Sequence, residues 1–387
     1  MTVCMVGWSH SKFGKLETET VESLISHVAV EAIHDAGLEP KDIDAIYLGT
    51  MNAGLCQQEF PSSLVLQSSA ELRFTPSTRI ENACATGSAA IHQGIAAIES
   101  KRARFALVIG VEKMTHLPSK LVGDVLIKAS YVEEEGNLHG GFVGVFSHIT
   151  DLYFAKYGDQ SDALAKIAAK NHKNGSKNPL AQVQKDLGYE FCKGDEKNPY
   201  VVGKLRRTDC SLVSDGAAAT ILTDHQTARS MTKAVQFKAA EHVNDFLPMS
   251  KRDMTLFEGA SVAWFKALKN SNLSLNDLSF VETHDCFTSA ELIEYEAMGL
   301  TPQGQGARAI HDGWTEIGGK LPVNPSGGLK AKGHPVGATG VSMHVLSAMQ
   351  LHGSAPGFQI PGAELAGIFN MGGAAVANYV SILEALK

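Results

Sequence analysis

Four turns of this chain carry side chains suited to covalent chemistry: Cys84, the run Thr283-His-Asp-Cys286-Phe-Thr288, the run Gly333-His-Pro-Val-Gly-Ala-Thr-Gly340, and Asn370-Met-Gly-Gly373. A thiol beside an imidazole is a simple nucleophile and base, because the ring takes the thiol proton as sulfur attacks. Cys84 stands where a strand end gives way to a helix of small residues, Thr86-Gly-Ser-Ala-Ala90. A helix N-terminus carries roughly half a positive charge and free N–H groups, which favour a thiolate and can hold a developing oxyanion. Each feature has a plainer alternative. A free cysteine also packs well as a small hydrophobe, and among 15 histidines some fall on turns by chance. The glycines around His334 count the other way, since they let backbone approach a ligand.

The elements that would bring these turns together read as a duplicated α/β unit. Val21, Leu24, Ile25, Val28 and Ile33 fall at helical spacing, Gly37 follows as a left-handed cap, and Ala45 to Leu48 reads as a buried strand. The pattern recurs over Lys266 to Val281, which aligns with Glu31 to Ile46 and puts Asn272 at the cap. Ala85-Thr-Gly-Ser88 matches Ala338-Thr-Gly-Val341, and Ala106-Leu-Val-Ile-Gly110 matches Ala366-Gly-Ile-Phe-Asn370. Three matches in one order argue for two halves whose equivalent turns, those of Cys84 and His334 among them, meet near the strand ends. In the second half the strand around Ile368 leads through Gly372 and Gly373 almost directly to a partner at Val376 to Leu383. In the first half the equivalent partner, Asp215 to Leu222, comes only after a long excursion. The expected division is 1–114 with 209–225 as an N-terminal half, 115–208 as an insertion, and 226–387 as a C-terminal half. Such an insertion serves as a lid or binding segment, or else as a surface for oligomer contact.

Composition narrows the function. The chain has 387 residues, 44% hydrophobic and 19% charged, the balance of an ordinary globular protein with a large core. A net charge of -7 leaves no broad basic footprint for nucleic acid or anionic membrane. No apolar run approaches membrane-spanning length, and the N-terminus lacks a secretory or transit pattern, so a cytoplasmic address is expected. The six cysteines show neither CxxC nor zinc spacing and read as reduced thiols, so no metal site is expected. Gly304-Gln-Gly306 is a bare GxG, best read as a turn.

Five motifs occur in order over nearly the whole chain: Asn82-Ala-Cys84-Ala-Thr-Gly-Ser88, Ser214-Asp-Gly-Ala-Ala-Ala219, His284-Asp-Cys-Phe287, Asn324-Pro-Ser-Gly-Gly-Leu-Lys330 and Gly333 to Gly340. Together they make the sequence resemble the thiolases, in particular the sterol-carrier-protein type. The resemblance implies the thiolase fold, five layers α/β/α/β/α built from two duplicated halves, with an inserted loop domain covering coenzyme A and assembly as a homodimer or homotetramer. It implies Cys84 as the acylated nucleophile and His334 as its base and later an oxyanion donor. Cys286 would move the α-proton of the second acyl-CoA, and His284 would hold the thioester enolate oxygen. Backbone N–H groups of Cys84 and Gly372 would form a second oxyanion hole. Most thiolases carry their second cysteine in a Cys-x-Gly turn and Asn-Glu-Ala-Phe where this chain has His-Asp-Cys-Phe. Here Asn370 fills the Cys-x-Gly position while Cys286 stands in the other turn, two compensating departures that fit the sterol-carrier type.

Those residue types match the chemistry. Cleaving a carbon–carbon bond between two carbonyls needs a nucleophile that is also a good leaving group, and donors for enolate and tetrahedral oxyanions. Coenzyme A would be substrate, as acyl-CoA, with no permanently bound cofactor. Its phosphates call for local cations, for which Lys204, Arg206 and Arg207 are candidates, although a solvated basic turn would look the same. Met114, Leu117, Leu121, Val122 and Phe142 are expected near the acyl pocket, and the expected substrate is short-chain. Two rivals stand beside this reading. A ketoacyl-synthase-like condensing enzyme would have no need of Cys286, and a non-catalytic acyl-CoA-binding subunit would need neither thiol. An accessory protein partner is left open.

Overall fold

Glycine- and asparagine-ended helices alternate with apolar strands through most of the chain, and a computed structural model describes residues 2–386 of it. The helix Val21–Asp35 starts on a Thr20–Ser23 capping box and gives way to Gly37 at φ 70°, while Asn272 closes the equivalent helix Glu258–Ser271 at φ 55°. Both ends follow from side chains that tolerate the left-handed region. Eleven strands are described: β1 (Val3–His10), β2 (Ala45–Gly49), β3 (Ser77–Ile80), β4 (Ala106–Glu112), β5 (Tyr200–Val202), β6 (Leu205–Arg206), β7 (Gly216–Asp224), β8 (Val235–Asn244), β9 (Phe280–Glu282), β10 (Leu365–Gly372) and β11 (Ala377–Ala385).

Nine of them order as β3-β2-β4-β7-β1-β8-β11-β10-β9, and the duplication is visible in their senses. β2 runs parallel to β4 as β9 does to β10, and β4 pairs antiparallel with β7 as β10 does with β11. Val323 bridges Val281 in parallel where β3 stands beside β2. The halves are joined at a narrow seam, Cys4 opposite Gln236 and Met5 opposite Val235. The helix Val21–Asp35 covers β1 and β7 on one side, and Glu258–Ser271 covers β8 and β11 on the other. Between the half-sheets lie the twin helices Thr86–Glu99 and Thr339–Leu351, the central layer of an α/β/α/β/α stack.

The twin helices explain the small residues after Cys84. A Cβ on Gly87 would lie 2.6 Å from Val341 N and 2.8 Å from Gly340 N, and one on Gly340 would collide with Ser88 N. Backbone meets backbone where the two helices cross, so the Cys84 turn and the His334 turn open side by side.

Residues 115–208 contribute no strand to the large sheet among the described residues. They form the helices Ser119–Leu126, Phe142–Tyr157, Ser161–Gly175 and Tyr189–Gly194, and the small hairpin β5–β6. The helix Ser161–Gly175 packs on Thr288–Ala297 and Gly328–Lys332 of the second half. A fully buried ion pair, Lys170 to Glu291 at 2.7 Å, fastens that contact. Removing either partner would strand the other charge in the core, a loss of about 3–5 kcal/mol.

Candidate active site

Cys84 lies in the single turn Ala83–Ala85 just ahead of the helix Thr86–Glu99. Asn82 N donates to Thr86 Oγ1 (2.7 Å), and Ala83 takes φ 49°, so the chain bends sharply and the thiol points back over the helix start. His284 and Cys286 follow β9 in two successive tight turns, Asp285 N to Thr283 O (3.1 Å) and Cys286 N to His284 O (2.8 Å). Asp285 between them faces away and accepts from Leu329 N (2.6 Å), Lys330 N (3.2 Å) and Asn171 Nδ2 (2.8 Å). With Asp285 anchored there, Cys286 lines a cavity shared with Cys84 and His334, and His284 stands beside both.

His334 is set by the backbone before it. Gly333 sits at φ 114°, where a side chain would be strained and its Cβ would lie 2.7 Å from Ser214 Oγ. Ser214 Oγ accepts from His334 N (2.9 Å), so the segment that leads into β7 is tied to the turn that carries His334. His334 Nδ1 meets Thr339 Oγ1 at 2.6 Å, and that hydroxyl donates to Pro335 O (3.0 Å). The hydroxyl hydrogen is thus committed, the ring must donate from Nδ1, and Nε2 carries the lone pair.

The rings of His284 and His334 meet edge to face with centroids 5.1 Å apart. Cys84 Sγ and one nitrogen of each ring lie within 4.8 Å of one another. Both Nε2 atoms are buried and unpartnered, while Nδ1 of His284 meets Asn370 Nδ2 and Nδ1 of His334 meets Thr339. Among the described residues this is the one group of three spaced to admit a metal ion; a soft metal and the acyl chemistry would compete for the same atoms.

Burial dominates the electrostatics. It pushes the Cys84 thiol up to about 12, against N–H groups of Gly373 and of Cys84 itself that favour the thiolate. Burial, with Lys332 adding positive field, takes His334 down to about 3. His284 is held well below the ordinary imidazole range by burial, then by His334 and Lys332. Cys286 is raised well above the ordinary thiol range by burial, then by Cys84, Glu294 and Asp285. The thiolate expected from the helix terminus alone is therefore overridden. The resting pair is a neutral thiol and a neutral imidazole, and the proton moves only as sulfur attacks.

A cavity of about 110 Å³ connects these groups, lined by Cys84, Cys286, His334 and the apolar Met114, Phe142 and Phe287. Of the five residues expected at the acyl pocket, Met114 and Phe142 line it. Leu117 and Val122 pack into the core behind it, and Leu121 is turned outward, because the helix Ser119–Leu126 presents only its Leu126 end to the cavity. Gly372 ends β10 opposite Ala377, and the N–H of its neighbour Gly373 is hydrogen-bonded to the Cys84 sulfur. Lys204 and Arg206 come together with Lys193 around a separate cleft of about 140 Å³ in the insertion, whereas the exposed Arg207 lies outside it. Lys204 pairs with Asp151 at 3.5 Å, and Arg206 stacks on Tyr200 and donates to Asn198 O (3.0 Å). Sequence reading assigned no role to Thr339 or Ser214, although both lie inside the motifs that were noticed.

A thiol, a lone-pair imidazole, a second imidazole and a second thiol around one apolar cavity are what a thioester-forming condensing enzyme requires. Residues 3–226 match the family model of the thiolase N-terminal domain, and residues 240–385 match the thiolase C-terminal domain-like model. The chain belongs to the thiolase family. It is 38% identical to an acetyl-CoA acetyltransferase of Methanothermobacter thermautotrophicus over 96% of both chains, and 32% identical to human sterol carrier protein 2 over 96% of this chain and 70% of that protein. Solved structures share the thiolase fold. An Ltp2–ChsH2(DUF35) aldolase superposes with TM-score 0.85 at 19% identity over 99% of this chain and 98% of that one. Human mitochondrial 3-ketoacyl-CoA thiolase in complex with CoA gives 0.76 at 17% identity over 100% and 98%. As a thiolase, this protein is an acyltransferase, and the five-layer fold with duplicated halves is the family's fold.

Proposed function

We propose that this thiolase takes acetyl-CoA as its acyl donor, stores the acetyl group on Cys84, and makes or breaks the carbon–carbon bond of a short 3-ketoacyl-CoA. The observation that carries this reading is the placing of Cys84, His284, Cys286 and His334 within and around one small apolar cavity. Cys84 sulfur attacks the thioester carbonyl as its proton passes to His334 Nε2. The proton stays on His334 Nε2 until Cys84 is released, the departing coenzyme A thiolate takes the Cys286 proton, and the Cys84 acyl-enzyme remains beside a Cys286 thiolate. In condensation, Cys286 as thiolate removes an α-proton from the second acyl-CoA while His284 and His334 hold the enolate oxygen. The carbanion attacks acyl-Cys84, whose tetrahedral oxygen is held by the N–H groups of Cys84 and Gly372. Thiolysis runs these steps in reverse, with the Cys286 thiol as proton donor. Each oxyanion donor is worth about 3–4 kcal/mol.

The cavity of about 110 Å³ supports a short acyl group, and Met114, Phe142 and Phe287 limit its length. Residues 115–208 are the segment we assign to covering coenzyme A, with Lys204 and Arg206 as candidate phosphate contacts. A ketoacyl synthase reading leaves Cys286 without work. The edge strand β3 leaves backbone groups unpaired, and Phe60 and Phe74, in the segment before it, are 78% and 84% exposed; both support pairing with a second copy. A cytoplasmic address fits the absence, among the described residues, of a helix long and apolar enough to cross a membrane. One similar structure is named as an assembly with a DUF35 protein, which makes an accessory partner worth testing here.

The test is peptide mass spectrometry after incubation with acetyl-CoA, on the wild type and on Cys286→Ala, with thiolysis of acetoacetyl-CoA followed in parallel. Acetylated Cys84 in both proteins, with carbon–carbon chemistry lost only in the variant, is the expected result. An unmodified Cys84 in the wild type would sink the choice of acetyl-CoA as donor.

A further inference from the structure

We infer that Asn370 is a positioning residue that fixes the tautomer of His284 and so gives the two active-site imidazoles opposite polarity. Asn370 lies on β10, fully buried, at the point where the twin helices cross. Its amide makes three contacts. Oδ1 accepts from Ser88 Oγ at 2.7 Å, Nδ2 donates to Cys84 O at 3.2 Å, and Nδ2 faces His284 Nδ1 at 2.8 Å.

The orientation of that amide follows from its partners. A backbone carbonyl can only accept, so the edge facing Cys84 O must be the NH2 group; the flipped amide would set two acceptors against each other. The same NH2 group faces His284 Nδ1, which must therefore accept, and the single proton of the neutral ring sits on Nε2. His334 is fixed in the other sense, because Thr339 takes its Nδ1 proton. Two rings 5.1 Å apart thus carry unlike groups beside the Cys84 thiol: a lone pair on His334 Nε2, and an N–H on His284 Nε2. The lone pair suits proton removal from Cys84, and the N–H suits donation to a developing oxyanion. With an apolar residue in place of Asn370, no hydrogen bond among the described residues would choose between the tautomers of His284.

This rests on the proposed thiolase cycle for its consequences in catalysis, but the tautomer itself can be measured without substrate. With histidine labelled at nitrogen, long-range proton–nitrogen correlation spectra of the wild type, assigned with a His284→Gln and a His334→Gln variant, should place the proton on Nε2 of His284 and on Nδ1 of His334. In Asn370→Leu, which is similar in size and donates nothing, the His284 preference should disappear. Carbon–carbon bond formation should fall 10²- to 10³-fold, the loss of one oxyanion donor. Acetylation of Cys84, which does not use His284, should fall less than tenfold, and KM less than threefold. A proton on Nδ1 of His284 in the wild type would overturn the inference, even if the variant does not fold. So would an unaltered tautomer in the variant, or a loss of both steps in equal measure. If wild-type Cys84 is not acetylated at all, the choice of substrate fails, while the tautomer measurement still decides the role of Asn370.

Discussion

The turn that follows β2 in the first half and the turn that follows β9 in the second are built on the same scaffold and used differently. After β2, Thr50 Oγ1 and the N–H groups of Met51 and Asn52 donate to Glu112, at 2.9, 2.8 and 3.2 Å. Glu112 comes from the end of β4 and also takes Gly337 N at 3.1 Å from the opposite half. After β9 the anchoring carboxylate is in the turn itself, as Asp285, and its two neighbours are left to face the cavity. Both carboxylates are buried, which raises Glu112 to about 7 and Asp285 well above the ordinary carboxylate range. The first-half turn is held from outside and carries no chemistry; the second holds itself and carries His284 and Cys286. Equivalent positions in the two halves thus differ in where the anchoring carboxylate comes from, and the residues proposed for the chemistry flank the one that sits in the turn itself.

The largest effect separates the halves by their opening residues. Cys84→Ser should lower acyl transfer by at least roughly 10⁴-fold, since a hydroxyl in this neutral, buried setting is a far weaker nucleophile and the oxyanion donors alone leave little catalysis. Stopped assays over a wide enzyme range would read it, and a loss of under a hundredfold would deny Cys84 the covalent role. The next effect concerns the anchor. Glu112 is raised from 4.5 to about 7 by burial, so the folded state binds the extra proton between those values. The stability this confers is complete below pH 4.5 and is lost as pH rises through 7. Relative to Glu112→Gln, which cannot titrate, the wild type should lose up to about 3 kcal/mol between pH 4.5 and 8. Urea unfolding of both proteins at several pH values measures the difference, and parallel pH curves would mean that the four donors keep Glu112 ionised throughout.

Much of this arrangement was legible in the chain. The caps at Gly37 and Asn272 and the small-residue helices declare themselves through local rules, and the repeat then fixes which strands pair. Cys84 and His334 stood out on turns of small residues and glycines, whereas His284 and Cys286, which alone could pass for packing residues at a strand end, took their roles from the resemblance. What stayed hidden depends on contacts far apart in sequence. That the Cys84 thiol is raised rather than lowered needs the burial supplied by both halves. Leu121 was expected inside because it is apolar, but one face of the helix Ser119–Leu126 is turned outward, and no periodicity tells which apolar residue of a short amphipathic helix is left over. Thr339 was read as part of a helix start, where threonine is common anyway, so its bond to His334 had no separate signal.

That bond provides the smallest and most discriminating effect. Thr339→Val keeps the shape of the side chain and removes the acceptor for His334 Nδ1–H, leaving a buried donor unpaired at a cost of about 1–3 kcal/mol. The ring can then relieve itself by moving its proton to Nε2, which removes the lone pair that Cys84 needs. Single-turnover acetylation of Cys84 should fall roughly 10- to 100-fold, and Thr339→Ser should recover most of it. In the wild type the same step should show no inflection from pH 6 to 9, because burial puts Cys84 up at about 12 and His334 down at about 3, and neither titrates in that window. An inflection near 7 would instead mean a preformed thiolate–imidazolium pair. The two imidazoles can thus be told apart by which step fails: removing the acceptor at Thr339 slows acylation, while removing the donor at Asn370 slows the carbon–carbon step, although the two rings they orient stand beside the same Cys84 thiol.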